Sequence, residues 1–536
     1  MLIDARSISN GSQFECDLCV VGAGPAGIAI VDRLRASGLS IVLLESGGFN
    51  VELPTQKLYR GELHGDKYFR LDACRWRLFG GGTNRWGGWC RPLEAVDFTQ
   101  RDWLAHSGWP INAQTLQPYE ADAAALFELP NSRFDLAAWR DRLPVPLALD
   151  DTHFENIVFQ HSPETNFGEI YRAGVLGAAN VTTMLHANLT QIRLDADSHC
   201  VGALHVATLT GRTFTVRPKA AVLAAGGIEN ARLLLASRAD RSAGLGNEFD
   251  LVGRYFMEHL HVPMGHLLAA PGAGNNDFYG KAIFGDARLR GLITPTAAAQ
   301  ARHRLLATSI AVERASYSLG TPFVGWSPRI TFGPVRCYRT LRSWHFKRVA
   351  ERLKQIAQRV YAAPNRVQTW QLSRRVRSRA VGASGSDRIY SLYFRAEQAP
   401  DPTNRVTLSE QRDALGMPES RLEWRVKPID AAGFTGWLEV LDRDFRARGL
   451  GKVIGPLDDW QAGITGGPHH MGTTRMSADP RHGVVDADCR VHSVENLYIA
   501  GSSVFATSGY ANPTFALVSL ALRLADTLRK RLGDKR

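Results

Sequence analysis

The residues able to do chemistry fall into four clusters. The first is Gly22-Ala-Gly24-Pro-Ala-Gly27, which follows the apolar run CDLCVV and precedes IAIVDRLRASG, a stretch with helical spacing. Gly22 permits a tight turn, Gly24 lets backbone approach a pyrophosphate, and Gly27 lets helix and strand pack closely. A helix starting there offers unpaired N–H groups and a positive dipole end to phosphates. A second apolar run, LSIVLLES, contains Glu45, which stands 18 residues past Gly27, where an acid can accept hydrogen bonds from ribose hydroxyls. Together these features predict a dinucleotide-binding fold and leave FAD and NAD both open.

The second cluster, LFGGGTNRWGGWCRP (residues 78–92), holds five glycines with Trp86 and Trp89. Such a loop can wrap a planar ring with backbone donors and aromatic walls, which makes Gly81, Thr83 and Trp86 candidate cofactor contacts. The third, GGPHHMGTTRM, sets His469 and His470 beside a Gly-Thr turn. The fourth, NLYIAGSSVFATSGYANPT, offers Gly501 and Ser502, then a helix opening at Asn512-Pro513. Proline is favoured in a first helical turn because its missing N–H would have been unpaired there. The positive end of that helix suits an electron-rich ring edge.

Certain elements must hold these clusters in place. KAAVLAAGGIENARLLLAS (residues 219–237) reads as a strand, a Gly226-Gly227 turn and a helix returning to the first sheet. From Leu260 to Ile454, short alternating runs such as RLLATSIAVERA and RVTLSE predict a mainly antiparallel sheet. With 44% apolar and 22% charged residues, the 536-residue chain is an ordinary globular mixture, which excludes a largely disordered protein. Its seven cysteines form no disulfide framework, and Cys16 and Cys19 are expected as buried core thiols despite their CxxC spacing. The first residues lack the apolar stretch of a signal peptide, and no run approaches the ~18 apolar residues of a membrane span. A cytoplasmic protein is expected, with no metal site.

The formal charge is +12. Residues 336–379 hold 13 Lys and Arg against one acid, Glu351, and so account for the whole excess. Within them Phe346, Val349, Leu353, Ile356 and Val360 fall on one face of a predicted amphipathic helix. Three readings are open. The segment is an ordinary solvated surface helix, an interfacial helix docking peripherally on an anionic membrane, or a dock for an acidic carrier or redox partner. Nucleic acid is not expected, since no recognised fold or stacking platform accompanies the basic run.

In their order along the chain, VVGAGPAGIAIVDRL with Glu45, LFGGGTNRWGG, AAGGIENARLLLAS, DLVGRYFMEH, HHMGTTRM and NLYIAGSSVFATSGYANPT resemble the glucose-methanol-choline (GMC) oxidoreductases over nearly the whole sequence. The HHMGTTRM and SGYANPT blocks look nearer to the sugar-oxidising, pyranose-oxidase-like branch. The resemblance selects FAD. It implies an α/β fold, with a Rossmann-type FAD-binding domain from residues 1–100, 170–259 and 455–536. A substrate domain with a mainly antiparallel sheet would comprise 101–169 and 260–454. It further implies that His469, first in an HxxGT pattern, is the base that removes the hydroxyl proton while hydride passes to flavin N5. Asn512 would be its partner, and Gly22, Gly24, Gly27, Glu45, Gly81, Thr83, Trp86, Gly501, Ser502 and Pro513 the cofactor contacts. Where some relatives carry a flavin-linking histidine this chain has Arg85, so FAD is expected to be non-covalent. The expected reaction oxidises the CH–OH of a sugar, glycoside or other small alcohol to a carbonyl. Rival readings are oxidation of a hydrophobic or carrier-bound alcohol, a non-redox flavin-bound lyase and a non-catalytic FAD scaffold.

Overall fold

The computed structural model describes residues 1–163, 165–197, 199–270, 276–284, 287–314, 389–456 and 460–533. The basic segment 336–379 and Cys337 lie outside the described residues. Two large sheets organise the rest, with helices on the first. In that eight-stranded sheet, Leu2–Asp4, Val181–Leu185, Ile41–Glu45, Ser12–Val21 and Thr213–Leu223 lie side by side and parallel. Leu497–Ile499 pairs in parallel with the second half of Thr213–Leu223, and a hairpin of Asn188–Leu194 and Val201–Ala207 joins its first half. The last six residues of Ser12–Val21 are buried, including Cys16 and Cys19 as free thiols, because a parallel sheet is covered on both faces. Helix Pro25–Leu34 buries Ile28, Ile30, Val31 and Leu34, and helix Pro513–Leu532 packs beside it.

The nine-stranded sheet is antiparallel throughout. Its order is Gly451–Ile454, His259–Ala269, Ile389–Glu397, Thr308–Arg314, Ala287–Pro295, Phe154–His161 and Trp89–Cys90. Lys281–Phe284 adds to Ala287–Pro295, and Thr465–Gly466 to His259–Ala269. A third sheet joins Gly61–Gly65 to Pro418–Trp424 and Arg405–Arg412. The first hundred residues therefore contribute strands to all three sheets.

Register decides which side chains meet. His261 stands opposite Arg395, and residues two apart on a strand share a face. His259, His261, Tyr393 and Arg395 thus project from the same side of the second sheet. Trp89 at the far edge lies 5.2 Å from the Arg395 guanidinium and 5.1 Å from that of Arg290. A buried ion pair locks the sheet to residues before it, with Arg101 donating two hydrogen bonds of 2.7 and 2.5 Å to Glu397.

Candidate active site

The glycine fingerprint divides into packing positions and one open position. A Cβ on Gly22, whose φ is +107°, would stand 2.6 Å from the Ala224 carbonyl oxygen. One on Gly27 would stand 1.9 Å from the Gly22 carbonyl oxygen. Gly24 differs, since no heavy atom lies within 4 Å of where its Cβ would be. The second glycine loop comes down beside it. Gly80 donates its N–H to Ala23 O at 2.7 Å, and a Cβ on Gly81 would sit 3.0 Å from Gly24 Cα. Gly82 and Gly501 likewise face open space, and the Thr83 hydroxyl holds the loop by donating to Gly80 O at 2.6 Å.

Glu45 is buried, with one carboxylate oxygen accepting Ala23 N–H at 2.9 Å and the other Gly47 N–H at 2.8 Å. Burial raises its pKa against these bonds. Trp86 donates to the Thr165 carbonyl at 3.0 Å and packs on Phe127, with ring centroids 5.1 Å apart. Trp89 is the tryptophan that joins the second sheet. The Arg85 guanidinium lies 4.3 Å over the Trp76 ring.

The histidine loop is pinned from three sides. Met471 exchanges two backbone hydrogen bonds with Met257, of 3.0 and 3.1 Å. The Ser502 hydroxyl donates to His470 O at 2.8 Å, and Thr473 Oγ1 donates to Gly227 O. Buried Asn230 ties the same region together, accepting from Ala225 N at 2.9 Å and donating to Ser503 Oγ at 3.0 Å. These bonds gather HHMGTT, AAGGIEN and AGSS, three motifs remote in sequence.

Glu258 lies beneath the loop. Its carboxylate accepts the backbone N–H of His469 at 2.9 Å and of Gly467 at 3.0 Å, together with the Tyr68 hydroxyl. Burial outweighs those donors and pushes its pKa up to about 7. His469 reaches the adjacent strand, where its Nδ1 lies 2.9 Å from His259 Nδ1. His259 Nε2 in turn lies 3.2 Å from the carbonyl oxygen of Ser508, in the segment leading to Asn512. Asn512 precedes helix Pro513–Leu532 without making a side-chain cap bond.

Burial holds His469 well below the usual histidine range, and His259, His261, Arg395 and His470 act in the same direction. Arg395 is itself lowered to about 10 by burial and by Arg290. The imidazole of His469 is therefore neutral at neutral pH, the form able to accept a proton. His469 and Arg395 are set deep in the protein, yet each retains some accessible surface. Trp89, Phe159, Tyr510, Leu292 and Ala311 form an apolar cluster on the same side of the second sheet.

Residues 400–521 match the family model described as GMC oxidoreductase. That stretch is a GMC oxidoreductase C-terminal domain. It is 23% identical to the 2-methyl-1,2-propanediol dehydrogenase of Mycolicibacterium austroafricanum, covering 98% of this chain and 97% of that one. It is 25% identical to the 6'''-hydroxyparomomycin C oxidase of Streptomyces lividus, covering 97% and 92%. The crystal structure of pyridoxine 4-oxidase from Mesorbium loti aligns over 96% of this chain and 99% of its own, with a TM-score of 0.52 at 16% identity. The protein is an FAD-dependent oxidoreductase acting on a CH–OH group.

The residues present fit FAD. Backbone at Gly24, Gly82 and Gly501 borders space that a Cβ would enter, and helices Pro25–Leu34 and Pro513–Leu532 both begin without a side-chain cap. When bound, FAD supplies the hydride acceptor. Residue spacing alone does not mark Glu258, His259, His261 or Arg395. The one signal available was the motif DLVGRYFMEH, which ends on the first two of them. Among the described residues Asp150, His153 and Asp444 are near enough to share a metal ion, but His153 Nδ1 already pairs with Asp444 at 3.0 Å and Arg448 lies 3.7 Å from Asp150.

Proposed function

We propose that the chain is a GMC oxidoreductase throughout and oxidises a secondary or primary alcohol of a sugar, glycoside or similar small polyol, with His469 as the base and Asn512 beside it. The observation that carries the reading is a neutral, enclosed imidazole at His469, held by Glu258 through its backbone and tied by His259 to the segment before Asn512. His469 takes the hydroxyl proton. Asn512, not engaged in capping its helix, orients the alcohol and stabilises developing alkoxide charge. The half-buried Tyr393 ring, beside the Arg395 guanidinium and the His261 ring, suits a substrate with apolar faces and hydroxyl edges. The relatives that act on a propanediol and on an aminoglycoside support the small-alcohol class.

In this reading the eight-stranded sheet belongs to a Rossmann-type FAD domain (1–100, 170–259, 455–536), and the nine-stranded sheet to a substrate domain (101–169, 260–454). Gly22 and Gly27 shape the cradle, while Gly24, Gly81, Thr83, Gly501, Ser502, Pro513, Glu45 and the loop bearing Trp86 surround a non-covalent FAD. The test is anaerobic mixing of the holoenzyme with glucose, fructose, a methyl glycoside, 2-methyl-1,2-propanediol and a long-chain alcohol, scored by flavin bleaching. His469→Ala should slow bleaching by about 10²–10⁴-fold while keeping FAD. Bleaching at the parent rate would remove His469 from the mechanism, and turnover without flavin reduction would favour a lyase.

A further inference from the structure

Two hydrogen bonds decide which nitrogen of His469 can accept a proton. His259 Nε2 lies 3.2 Å from the Ser508 carbonyl oxygen. A carbonyl only accepts, so this nitrogen carries the hydrogen. Burial lowers His259 to about 4, so the ring is neutral and has a single N–H. Its Nδ1 is therefore a bare lone pair. That lone pair faces His469 Nδ1 at 2.9 Å, and a hydrogen bond there requires the hydrogen to sit on His469. Any other arrangement of two neutral rings sets lone pairs against each other at one of the two contacts. With its hydrogen on Nδ1, neutral His469 presents a bare Nε2.

Resting on the base assignment above, we propose that His259 is a positioning residue: anchored by the Ser508 carbonyl, it holds His469 in the tautomer whose Nε2 accepts the substrate proton. The surroundings leave this task to His259. Among the described residues no other acceptor is bonded to His469 Nδ1. Glu258 engages the His469 backbone rather than its ring, and His261 lies with its ring centroid 6.1 Å away. Gly467 fits the same design, because a Cβ there would stand 3.0 Å from both His469 Nδ1 and His261 Nε2. Only a residue without a side chain leaves the ring contact undisturbed.

The test combines a spectroscopic signature with rescue. Nitrogen-15 NMR of histidine-labelled parent protein, with the His469 resonances assigned by their loss in His469→Ala, should show a protonated Nδ1 and a bare Nε2. A protonated Nε2 with a bare Nδ1 would overturn the proposal without any change at position 259. In the anaerobic bleaching assay, using the alcohol that bleaches the parent fastest, His259→Leu removes the acceptor and should lose about 10²-fold or more. In His259→Asn, Oδ1 can stand near the place of Nδ1 and accept the same hydrogen, so most of that loss should be recovered. A His259→Leu variant that bleaches like the parent, or a His259→Asn variant as slow as His259→Leu, would also overturn it. If His469→Ala is inert while His259→Leu is parent-like, the positioning role fails and the base assignment stands. If His469→Ala is parent-like, both fail.

Discussion

Replacing Gly24 and Gly27 separately by alanine should give opposite phenotypes. Gly24 has φ −80° and ψ −175°, a conformation alanine adopts without strain, and its Cβ would meet nothing within 4 Å. The apoprotein with Gly24→Ala should thus match the parent in stability to within about 0.5 kcal/mol. The added methyl group enters the space assigned to the FAD pyrophosphate, and such overpacking costs about 1–3 kcal/mol. At about 1.4 kcal/mol per tenfold, FAD should bind roughly 5- to 150-fold more weakly. At Gly27 the Cβ would sit 1.9 Å from a backbone oxygen, so helix and turn must separate by roughly 1.5 Å to restore contact distance. That cost falls on the fold, about 3 kcal/mol or more with or without cofactor. Titration of FAD into each apoprotein, with urea unfolding in parallel, reads both quantities. Parent-like FAD affinity in Gly24→Ala would refute the assignment of this space to the cofactor. Parent-like stability in Gly27→Ala would refute the packing argument.

Two further outcomes are expected. Since burial, with Arg395 and the neighbouring histidines acting in the same direction, keeps His469 well below the ordinary histidine value, kcat/KM should stay level as pH falls through 6.5 and decline only in more acidic solution; a midpoint at or above 6.5 would contradict the neutral, enclosed base. Arg101→Ala strands the carboxylate of Glu397 in the interior and should cost about 3–5 kcal/mol in urea unfolding, while Arg101→Met combined with Glu397→Leu should regain most of it. A single-variant loss under about 1 kcal/mol would show the pair to be dispensable.

The glycine turn was legible because its requirements are local. Gly22, Gly24 and Gly27 lie within one turn, and the steric reason for each is written in their spacing. Glu45 was legible as an acid at the end of a strand, yet its bonds to Ala23 and Gly47 arise only when the two strands lie side by side. His259 and Glu258 were obscure for a different reason. In the run MEHLHVPMG they read as polar positions of a strand, and they acquire meaning only when residues some 210 positions later fold onto that strand. Of the paired tryptophans in the glycine loop, composition could not say that Trp86 would turn to Phe127 and Trp89 to the second sheet. That choice is made by the short pairing of Trp89–Cys90 with Phe154–His161.

The placement of Leu497–Ile499 beside Thr213–Leu223 imposes an order on biosynthesis. When the ribosome has made the first 223 residues, one edge of the parallel sheet is still without its final neighbour, and that neighbour is not yet translated. At about 5–20 residues per second, the wait is on the order of 15–50 s. Throughout it, the apolar strand end Ala221–Leu223 and the side of helix Pro25–Leu34 later covered by helix Pro513–Leu532 are open to wrong partners. Most strands of the nine-stranded sheet, from His259–Ala269 to Thr465–Gly466, are translated during that wait. Completion of this sheet, and with it retention of FAD, becomes a late event in synthesis, so truncation before Leu497 should yield a colourless, aggregation-prone product rather than a weakened enzyme.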